Sequence, residues 1–308
     1  MRDRAALVAF AQESISRGSK SFRFASRLFD RTTRERVWLL YAWCRKCDDM
    51  ADGQDHGGAM EAVTDPQARL QAIRQLTAMA LAGAPTSEPA FDCLGVVARE
   101  CGITSRMAED VIEGFALDAA DWRPRRESDL YQYCYHVAGA VGVMMAVVMG
   151  VPADDDATLD RACDLGLAFQ LANIARDIAE DDAAGRCYLP DDWLAMLDIA
   201  PGEHMKPHNR KKLALIGRWL ADEAEQYEAS ARVGAKHLPL RARWAVLSAA
   251  GIYGEIARKV RAAQAHAWDQ RIFTSRPEKF RWVRKAFVDA IANNPRDTNR
   301  DMLWTRVR

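Results

Sequence analysis

The sequence predicts an all-α protein, and two observations support this prediction. Long segments without proline are rich in alanine, leucine, arginine and glutamate, which favour helices. Within these segments apolar residues recur every three or four positions, whereas alternating β-branched residues over the length of a strand are hard to find. Eleven prolines punctuate the chain, so roughly ten or more helices are expected from the segment lengths.

Helical periodicity is clearest in four segments, at residues 68–81, 160–181, 210–231 and 243–268. The longest apolar run, 137–151, has 15 residues. A membrane span needs about 20, so this run predicts a buried helix. The three aspartates after Pro152 predict a turn that leads into a helix N-terminus, where acidic residues are favoured. Loops are expected at 53–58 and 205–209.

The composition is that of a soluble globular chain. Its 308 residues are 49% apolar and 28% charged, as in ordinary ordered domains. Lysine and arginine total 43, and aspartate and glutamate also total 43. Proteins that bind nucleic acid usually carry a basic excess, so no nucleic-acid partner is expected. Because no linker is convincing, one domain is expected over residues 1–308, built around a central cavity that helices enclose.

The expected location is cytoplasmic, with a peripheral contact on the inner face of the membrane. The N-terminal residues lack the pattern of a signal peptide, and seven scattered cysteines suit reduced thiols. Residues 271–308 include ten basic and four acidic side chains, which could meet an anionic membrane surface. The candidate segment is 276–287, with Phe280, Trp282 and Phe287. An ordinary amphipathic helix is the alternative interpretation.

Two motifs resemble known sites but lack the context that those sites need. Cys44 and Cys47 have the spacing of a redox dithiol, yet they lie in a helical pattern and not after a strand. Residues 48–53 resemble the start of a calcium loop. Met50, however, stands where an oxygen ligand is required, and Ala59 where the closing glutamate belongs. We therefore expect neither site.

Two pairs of aspartates stand apart as candidates for chemistry: Asp48 with Asp52, and Asp177 with Asp181. Residues four apart share one face of a helix, with Cβ atoms roughly 5–6 Å apart, and like charges at that spacing repel. A cation between them would relieve the repulsion. Hard carboxylate oxygens suit Mg²⁺, whereas lysine or arginine on a neighbouring face is the simpler alternative.

The second pair belongs to a longer polar stripe, whose members step by three or four residues and so face one way: Gln170, Asn173, Asp177 and Asp181. Its neighbours are apolar, so the stripe would be costly to bury without ions or a ligand. Arg45 and Arg176 accompany the two acid pairs. Arginine beside a metal-binding carboxylate suggests an anion that both contact, and diphosphate is the natural candidate. Exposed faces with surface salt bridges remain the other interpretation.

Several segments resemble the squalene/phytoene synthase family of head-to-head prenyl synthases. Residues 133–142 match one signature of the family, and the pattern from 165 to 190 matches the other with its spacing intact. Two further blocks match at residues 19–22 and 45–52. The resemblance lies closest to the bacterial members that serve carotenoid pathways.

The resemblance implies an all-α isoprenoid-synthase fold, like the class I terpenoid synthases, with a central cavity. Two acidic groups would face each other across the mouth of that cavity and hold Mg²⁺, or alternatively Mn²⁺: Asp48 and Asp52, and Asn173, Asp177 and Asp181. The implied catalytic residues are Asp48, Asp52, Asp177, Asp181 and Arg45. Positions that contact substrate in the family are occupied by Gly18, Ser19, Lys20, Ser21, Tyr41, Arg45, Gln170, Arg176 and Tyr253, and Arg271 fits a weaker C-terminal position.

The implied reaction joins two geranylgeranyl diphosphate molecules through prephytoene diphosphate to 15-cis-phytoene, with release of diphosphate, in carotenoid biosynthesis. ATP is a further cofactor that only the resemblance suggests, because the sequence has no nucleotide motif. No NADPH is expected. The implied partners are the two substrate molecules, the membrane surface and other enzymes of the carotenoid pathway.

Three alternatives stay open. A squalene or dehydrosqualene synthase would act on farnesyl diphosphate, although the small Ser26, on a helix face shared with Phe22, favours a longer substrate if that face lines the tunnel. Terpene cyclases and head-to-tail elongases also use paired aspartates, but they lack the pattern at 170–190. A non-enzymatic helical scaffold would use the acid pairs only as surface charge.

Overall fold

A computed structural model describes residues 2–18, 25–52, 65–120 and 122–307, leaving aside the side chain of Asp52. These residues form helices joined by turns and contain no β-strand, which confirms the all-α prediction. The α-helices with bounds in these ranges are α1 (Arg4–Gly18), α2 (Arg31–Asp52), α3 (Pro66–Leu81), α4 (Pro89–Cys101), α5 (Ser105–Ala119), α6 (Glu127–Cys134), α7 (Ala140–Val148), α8 (Asp156–Ala183), α9 (Asp191–Met196), α10 (Arg210–Gly234), α11 (Leu240–Ala263) and α12 (Arg276–Ala292).

The four periodic segments all form helices, namely α3, α8, α10 and α11, and the differences lie at their ends. α3 begins at Pro66, whose fixed φ suits the first turn of a helix. α11 ends at Ala263, short of the predicted end at 268, because Gln264 adopts a φ of 51° that a helix cannot continue through. Residues 207–209 of the expected loop form a short 3₁₀ turn. The loop expected at 53–58 lies outside the described residues.

The apolar run at 137–151 is helical and largely buried, as predicted. It begins inside a π-helical turn, Tyr135–Gly139, continues through α7 and ends before Gly150, which adopts a φ of 98°. The aspartates that follow form the predicted turn, and Asp156 opens α8. Within the described ranges, no helix combines the length and apolarity that crossing a bilayer requires.

The chain groups into two compact units. One comprises Met1–Ala120 with Val143–Asp156, and the other comprises Asp121–Gly142 with Ala157–Arg308. The single domain over 1–308 and its central cavity stay predictions.

In the first unit α2 packs against α1, α3, α4 and α5. The Trp43 side chain is fully buried, and its Nε1 donates to Thr77 Oγ1 on α3 at 3.3 Å. Arg4 of α1 forms ion pairs with Glu35 of α2 at 2.8 Å and with Glu100 of α4 at 2.6 Å. These contacts fix which face of α2 is buried and therefore which face carries its polar residues.

In the second unit α8 approaches the π-helical turn closely. A Cβ atom placed on Gly166 of α8 would lie 2.4 Å from the carbonyl oxygen of Ala138. One placed on Gly142 of α7 would meet the backbone of α8 at 2.5 Å. Only glycine allows the two backbones this contact. Beyond α11, Trp268 Nε1 donates to the carbonyl oxygen of Ala175 at 3.0 Å and so attaches that segment to α8.

Candidate active site

On the polar face of α2, two residues predicted from the sequence, Arg45 and Asp48, form an ion pair. Arg45 Nη1 lies 2.8 Å from Asp48 Oδ2, and Arg45 Nη2 donates to Asp49 Oδ1 at 2.6 Å. The side chain of Asp49 is 10% exposed, whereas that of Asp48 is 41% exposed. Arg45 Nε is buried and has no hydrogen-bond partner within the described part of the chain. Its guanidinium therefore keeps one donor for a further acceptor.

The C-terminal end of α1 meets this group. A Cβ atom on Gly18 would lie 2.2 Å from Tyr41 Oη and 3.6 Å from Arg45 Cδ, so glycine is needed for the contact. Burial raises the pKa of Tyr41, while the charge of Arg45 acts in the opposite direction. Gly18, Tyr41 and Arg45, which were predicted to contact substrate, thus lie together. The predicted residues Ser19, Lys20 and Ser21 lie outside the described residues, as does the side chain of Asp52.

The polar stripe of α8 is visible in the pattern of burial. Its four members are half-buried, whereas the apolar residues between them are buried: Leu171, Ala172, Ile174, Ala175 and Ile178. The stripe therefore forms the accessible edge of a helix that is otherwise packed, as the three-to-four spacing predicts.

One carboxylate of the stripe receives two guanidinium groups. Arg176 Nε donates to Asp177 Oδ1 at 2.7 Å, and its Nη2 contacts Oδ2 of the same carboxylate. Arg271 Nη2 lies 3.0 Å from Asp177 Oδ1, and its Nη1 lies 3.8 Å from Glu180. The structure thus brings Arg271, which fits only a weaker C-terminal position of the family, to the second acidic group.

Asp181 is in a different electrostatic state. Burial, followed by the charge of Asp177, raises its pKa to about 6, and the charge of Arg186 only partly offsets these effects. A carboxylate in that state gains from a nearby cation. The oxygen donors of Asn173, Asp177 and Asp181 are those that hard cations such as Mg²⁺ and Mn²⁺ prefer, so the residues fit the expected metal. Among the described residues, no three His, Cys, Asp or Glu side chains form a ready-made metal cluster.

Aromatic side chains adjoin the α8 stripe. The rings of Phe169 and Tyr253 stack with centroids 4.3 Å apart and planes 23° apart. Burial raises the pKa of Tyr253, and the charge of Arg176 lowers it. Tyr253, predicted to contact substrate, therefore lies in the electrostatic range of the arginine that binds Asp177.

Sequence reasoning missed a third acidic pair, which lies near the start of α8. Asp160 and Asp164 are also four residues apart, but they are buried and face a C-terminal segment, residues 296–307, that we call the C-terminal strap. Arg300 binds both oxygens of Asp164, at 2.7 and 2.8 Å, and Arg306 Nε donates to Asp160 at 2.8 Å. The signal was present in the sequence, since an acid pair within an apolar helix requires a cation.

The two cysteines with the dithiol spacing lie within α2, in the helical context predicted from the sequence. All seven cysteines are free, and burial raises the pKa of Cys44 to about 12. Burial also raises the pKa of Cys47 well above the ordinary thiol value. Cys47 is a core side chain, and Cys44 is half-buried. A raised pKa disfavours the thiolate that redox exchange requires.

Ser26 is buried beside an indole. It is 1% exposed, and its Oγ accepts a hydrogen bond from Trp38 Nε1 at 3.0 Å. Phe22, its proposed neighbour on the same face, lies outside the described residues. That this face lines a substrate tunnel stays a prediction.

The fold and these residues define a class of protein. The all-helical architecture is that of the isoprenoid synthases. A family model described as squalene/phytoene synthase matches residues 15–278, a range that holds every predicted substrate and metal residue from Gly18 to Arg271. The chain belongs to the squalene/phytoene synthase family.

Individual relatives extend this similarity over nearly the whole chain. A phytoene synthase from Pseudescherichia vulneris is 47% identical, covering 97% of this chain and 98% of its own length. A 15-cis-phytoene synthase from Pantoea ananas is 46% identical over the same shares. Among solved structures, a dehydrosqualene synthase in complex with ligand has a TM-score of 0.82 and 27% identity, covering 94% of this chain and 98% of its own.

Proposed function

We propose that this protein is a 15-cis-phytoene synthase, which joins two molecules of geranylgeranyl diphosphate head to head and releases diphosphate. The support is the identity of 47% to a relative named phytoene synthase and of 46% to one named 15-cis-phytoene synthase, across nearly the full length of the chains compared. No NADPH is required in the proposal, because phytoene forms by loss of a proton and not by reduction.

The observation that carries the chemistry is the pairing of predicted arginines with predicted carboxylates on both helices. Arg45 binds Asp48, and both Arg176 and Arg271 bind Asp177. In the absence of substrate these groups neutralise each other. A metal diphosphate offers each of them a better partner, because carboxylates bind the cation and guanidinium groups bind phosphate oxygens.

The proposed metal ligands are Asp48 and Asp52 on α2 and Asn173, Asp177 and Asp181 on α8. The arrangement in which these groups face each other stays a prediction. When bound, Mg²⁺ would supply charge stabilisation for a departing diphosphate.

The protein side chains supply orientation and exclusion of water. The C1–O bond of one substrate breaks, its electron pair leaves with the diphosphate, and Arg45, Arg176 and Arg271 hold that developing charge. The allylic cation is then attacked by the double bond of the second substrate, and loss of a proton gives the cyclopropyl intermediate prephytoene diphosphate. Its C–O bond breaks in turn and releases the second diphosphate, and rearrangement followed by loss of another proton gives phytoene. Half-buried aromatic rings such as Tyr253 and Phe169 keep water from the cation and offer it a π face.

The product is a hydrocarbon that partitions into lipid. The proposal therefore includes a peripheral membrane contact on the cytoplasmic side, where the substrate is delivered and the product leaves. Contact with other enzymes of the pathway belongs to the same proposal. ATP has no support in the structure or in the comparisons.

Product analysis tests the function directly. Purified protein is incubated with labelled geranylgeranyl diphosphate, with and without Mg²⁺ and NADPH, and the extracted hydrocarbons are separated. We expect 15-cis-phytoene with Mg²⁺ alone. Labelled farnesyl diphosphate in a parallel reaction tests the alternative substrate of the structural relative, and a faster reaction with it would replace the proposal.

Two substitutions test the site. Asp48→Asn and Asp177→Asn should each lower turnover at least about a hundredfold, because each removes charge from a metal–diphosphate site, while circular dichroism shows an intact fold. Asp191→Asn, an exposed acid on α9, is the matched control and should keep full turnover. Unchanged turnover in the first two variants would leave the acid pairs as surface charge.

A further inference from the structure

α12 presents an apolar stripe to solvent. Phe280 is 70% exposed, Val288 62% and Ile291 60%, and Phe287 is 41% exposed. Seven, eight and eleven residues separate Phe280 from the other three, so all four lie on one side of the helix. We call these four residues the α12 stripe. Large apolar side chains exposed together on one side of a helix indicate an interaction site.

The opposite side of α12 fixes the orientation of the helix. Trp282 packs on Gly251 of α11, where a Cβ atom would lie 2.3 Å from the indole, and its Nε1 donates to Glu255 at 3.1 Å. Trp244 Nε1 of α11 donates to the carbonyl oxygen of Val283 at 2.9 Å. Trp282, which the sequence offered as part of a membrane-facing segment, is therefore an anchor to the protein core. The α12 stripe stays outward.

Basic side chains border the α12 stripe. Arg276, Arg281, Arg284 and Lys285 are exposed, and by helical geometry Arg284 lies between Phe280 and Val288 on the same side. Both acids of the helix are paired. Glu278 binds Lys259 at 2.7 Å, and Asp289 lies 3.3 Å from Lys285. Two of the basic side chains are engaged as well, since Arg281 lies 3.4 Å from Glu255 and Lys285 pairs with Asp289. The basic border therefore rests mainly on Arg276 and Arg284. An apolar stripe with a basic border matches the chemistry of an anionic lipid surface.

We propose that the α12 stripe docks on an anionic lipid bilayer, with its apolar side chains at the acyl boundary and its arginines at the headgroup phosphates. This inference deepens the proposed function, since a hydrocarbon product must reach lipid. A second copy of the chain is a poorer occupant, because two such stripes would bring like charges together.

Vesicle flotation tests the docking. The protein is mixed with vesicles of phosphatidylcholine alone or of phosphatidylcholine with phosphatidylglycerol. We expect binding to the anionic vesicles, weakened by salt. The double variant Phe280→Ala/Val288→Ala should bind about tenfold or more weakly, and Arg284→Gln about fivefold more weakly. Met196→Ala on α9, where the methionine is also 70% exposed, is the matched control and should bind as the wild type does.

Turnover separates this inference from the proposed function. In detergent micelles the double variant should convert geranylgeranyl diphosphate at the wild-type rate, whereas on anionic vesicles it should be slower. Undiminished flotation of the double variant would overturn the docking surface, as would self-association of the wild type that the double variant abolishes. Flotation needs no turnover, so a wild type that floats but makes no phytoene would contradict only the proposed function.

Discussion

Asp177 and Asp181 are the same residue type, one helical turn apart, with different surroundings. Asp177 receives hydrogen bonds from Arg176 and an ion pair from Arg271. Burial and the negative charge of Asp177 both disfavour the ionised form of Asp181 and raise its pKa to about 6. The environment of each carboxyl and not its identity sets the difference. Asp181 is the acid of the stripe that stands to gain most from a cation.

Asp181→Asn should stabilise the metal-free protein at neutral pH. The folded-state pKa of about 6 exceeds the unfolded value of about 4. The wild type therefore loses stability as pH rises through that interval, and it bears the full cost above pH 6. Asparagine cannot ionise and escapes this cost. Calorimetry with a chelator should show a higher Tm for the variant at neutral pH and a difference that vanishes near pH 4.

A control variant tests whether the gain in Tm comes from titration of Asp181. Asp191→Asn changes an exposed acid and should give no pH-dependent gain. A Tm difference for Asp181→Asn that stays constant between acid and neutral pH would show that titration of Asp181 is not its cause.

The spacing of acids predicts which residues share a helix face but not which cation they meet. Asp177 with Asp181 and Asp160 with Asp164 have the same spacing on α8. The first pair lies on the accessible stripe, whereas the second is buried against arginines from the C-terminal strap. Those arginines are more than 130 positions away in sequence, so a local pattern cannot reveal them.

The closest backbone contact described in the second unit lies between α8 and the π-helical turn. The apolar run at 137–151 predicted a buried helix, and that run begins inside this turn. The helix on the other side, α6, was not among the predicted segments. Single π turns are rare insertions within helices, and the apolar periodicity indicated none at this point. The glycines at the contact are visible in the sequence, but their partners depend on tertiary packing.

Gly166→Ala should be strongly destabilising. The added Cβ would lie 2.4 Å from the carbonyl oxygen of Ala138 and 2.6 Å from Gly139 Cα. Both are backbone atoms, which cannot rotate away. Relief requires α8 to shift, at a cost of about 1–3 kcal/mol or more. Chemical denaturation should show a lower midpoint, and turnover should fall because the α8 stripe moves with the helix.

Gly217→Ala on α10 is the matched comparison. There a Cβ would lie 3.1 Å from the ring of Trp268, which is a side chain that can yield by a few tenths of an ångström. Helix propensity favours alanine over glycine by roughly 1 kcal/mol, so this variant should lie close to the wild type. Equal losses in the two variants would contradict the close contact at Gly166.

The C-terminal strap makes a distant segment part of the core of the second unit. Arg300 satisfies Asp164, which is 0% exposed, and Ser230 donates a further hydrogen bond to the same carboxylate. Trp304 N donates to Tyr227 Oη at 3.2 Å, and the Trp304 ring lies 5.6 Å from that of Tyr135. The strap therefore supports both α8 and the π-helical turn from the side away from the stripe.

Arg300→Ala should cost about 3–5 kcal/mol, because it leaves a buried carboxylate without its cation. Burial already raises the pKa of Asp164 even with Arg300 present. The double variant Arg300→Ala/Asp164→Asn removes the stranded charge and should recover part of the loss. Urea denaturation measures all three proteins. Arg296→Ala, an exposed arginine of the same strap, is the control and should change stability little; equal losses at both arginines would contradict the role of Arg300.

The strap also has a consequence for biosynthesis. Arg300 is made 136 residues after Asp164, which corresponds to roughly 7–27 s of translation at ordinary elongation rates. Throughout that interval the nascent helix carries an acid that has no counter-charge in its final location. Completion of the acid-bearing helix must therefore wait for a late-emerging stretch of polypeptide, and a ribosome stalled before that stretch would display an unfinished, protease-sensitive intermediate.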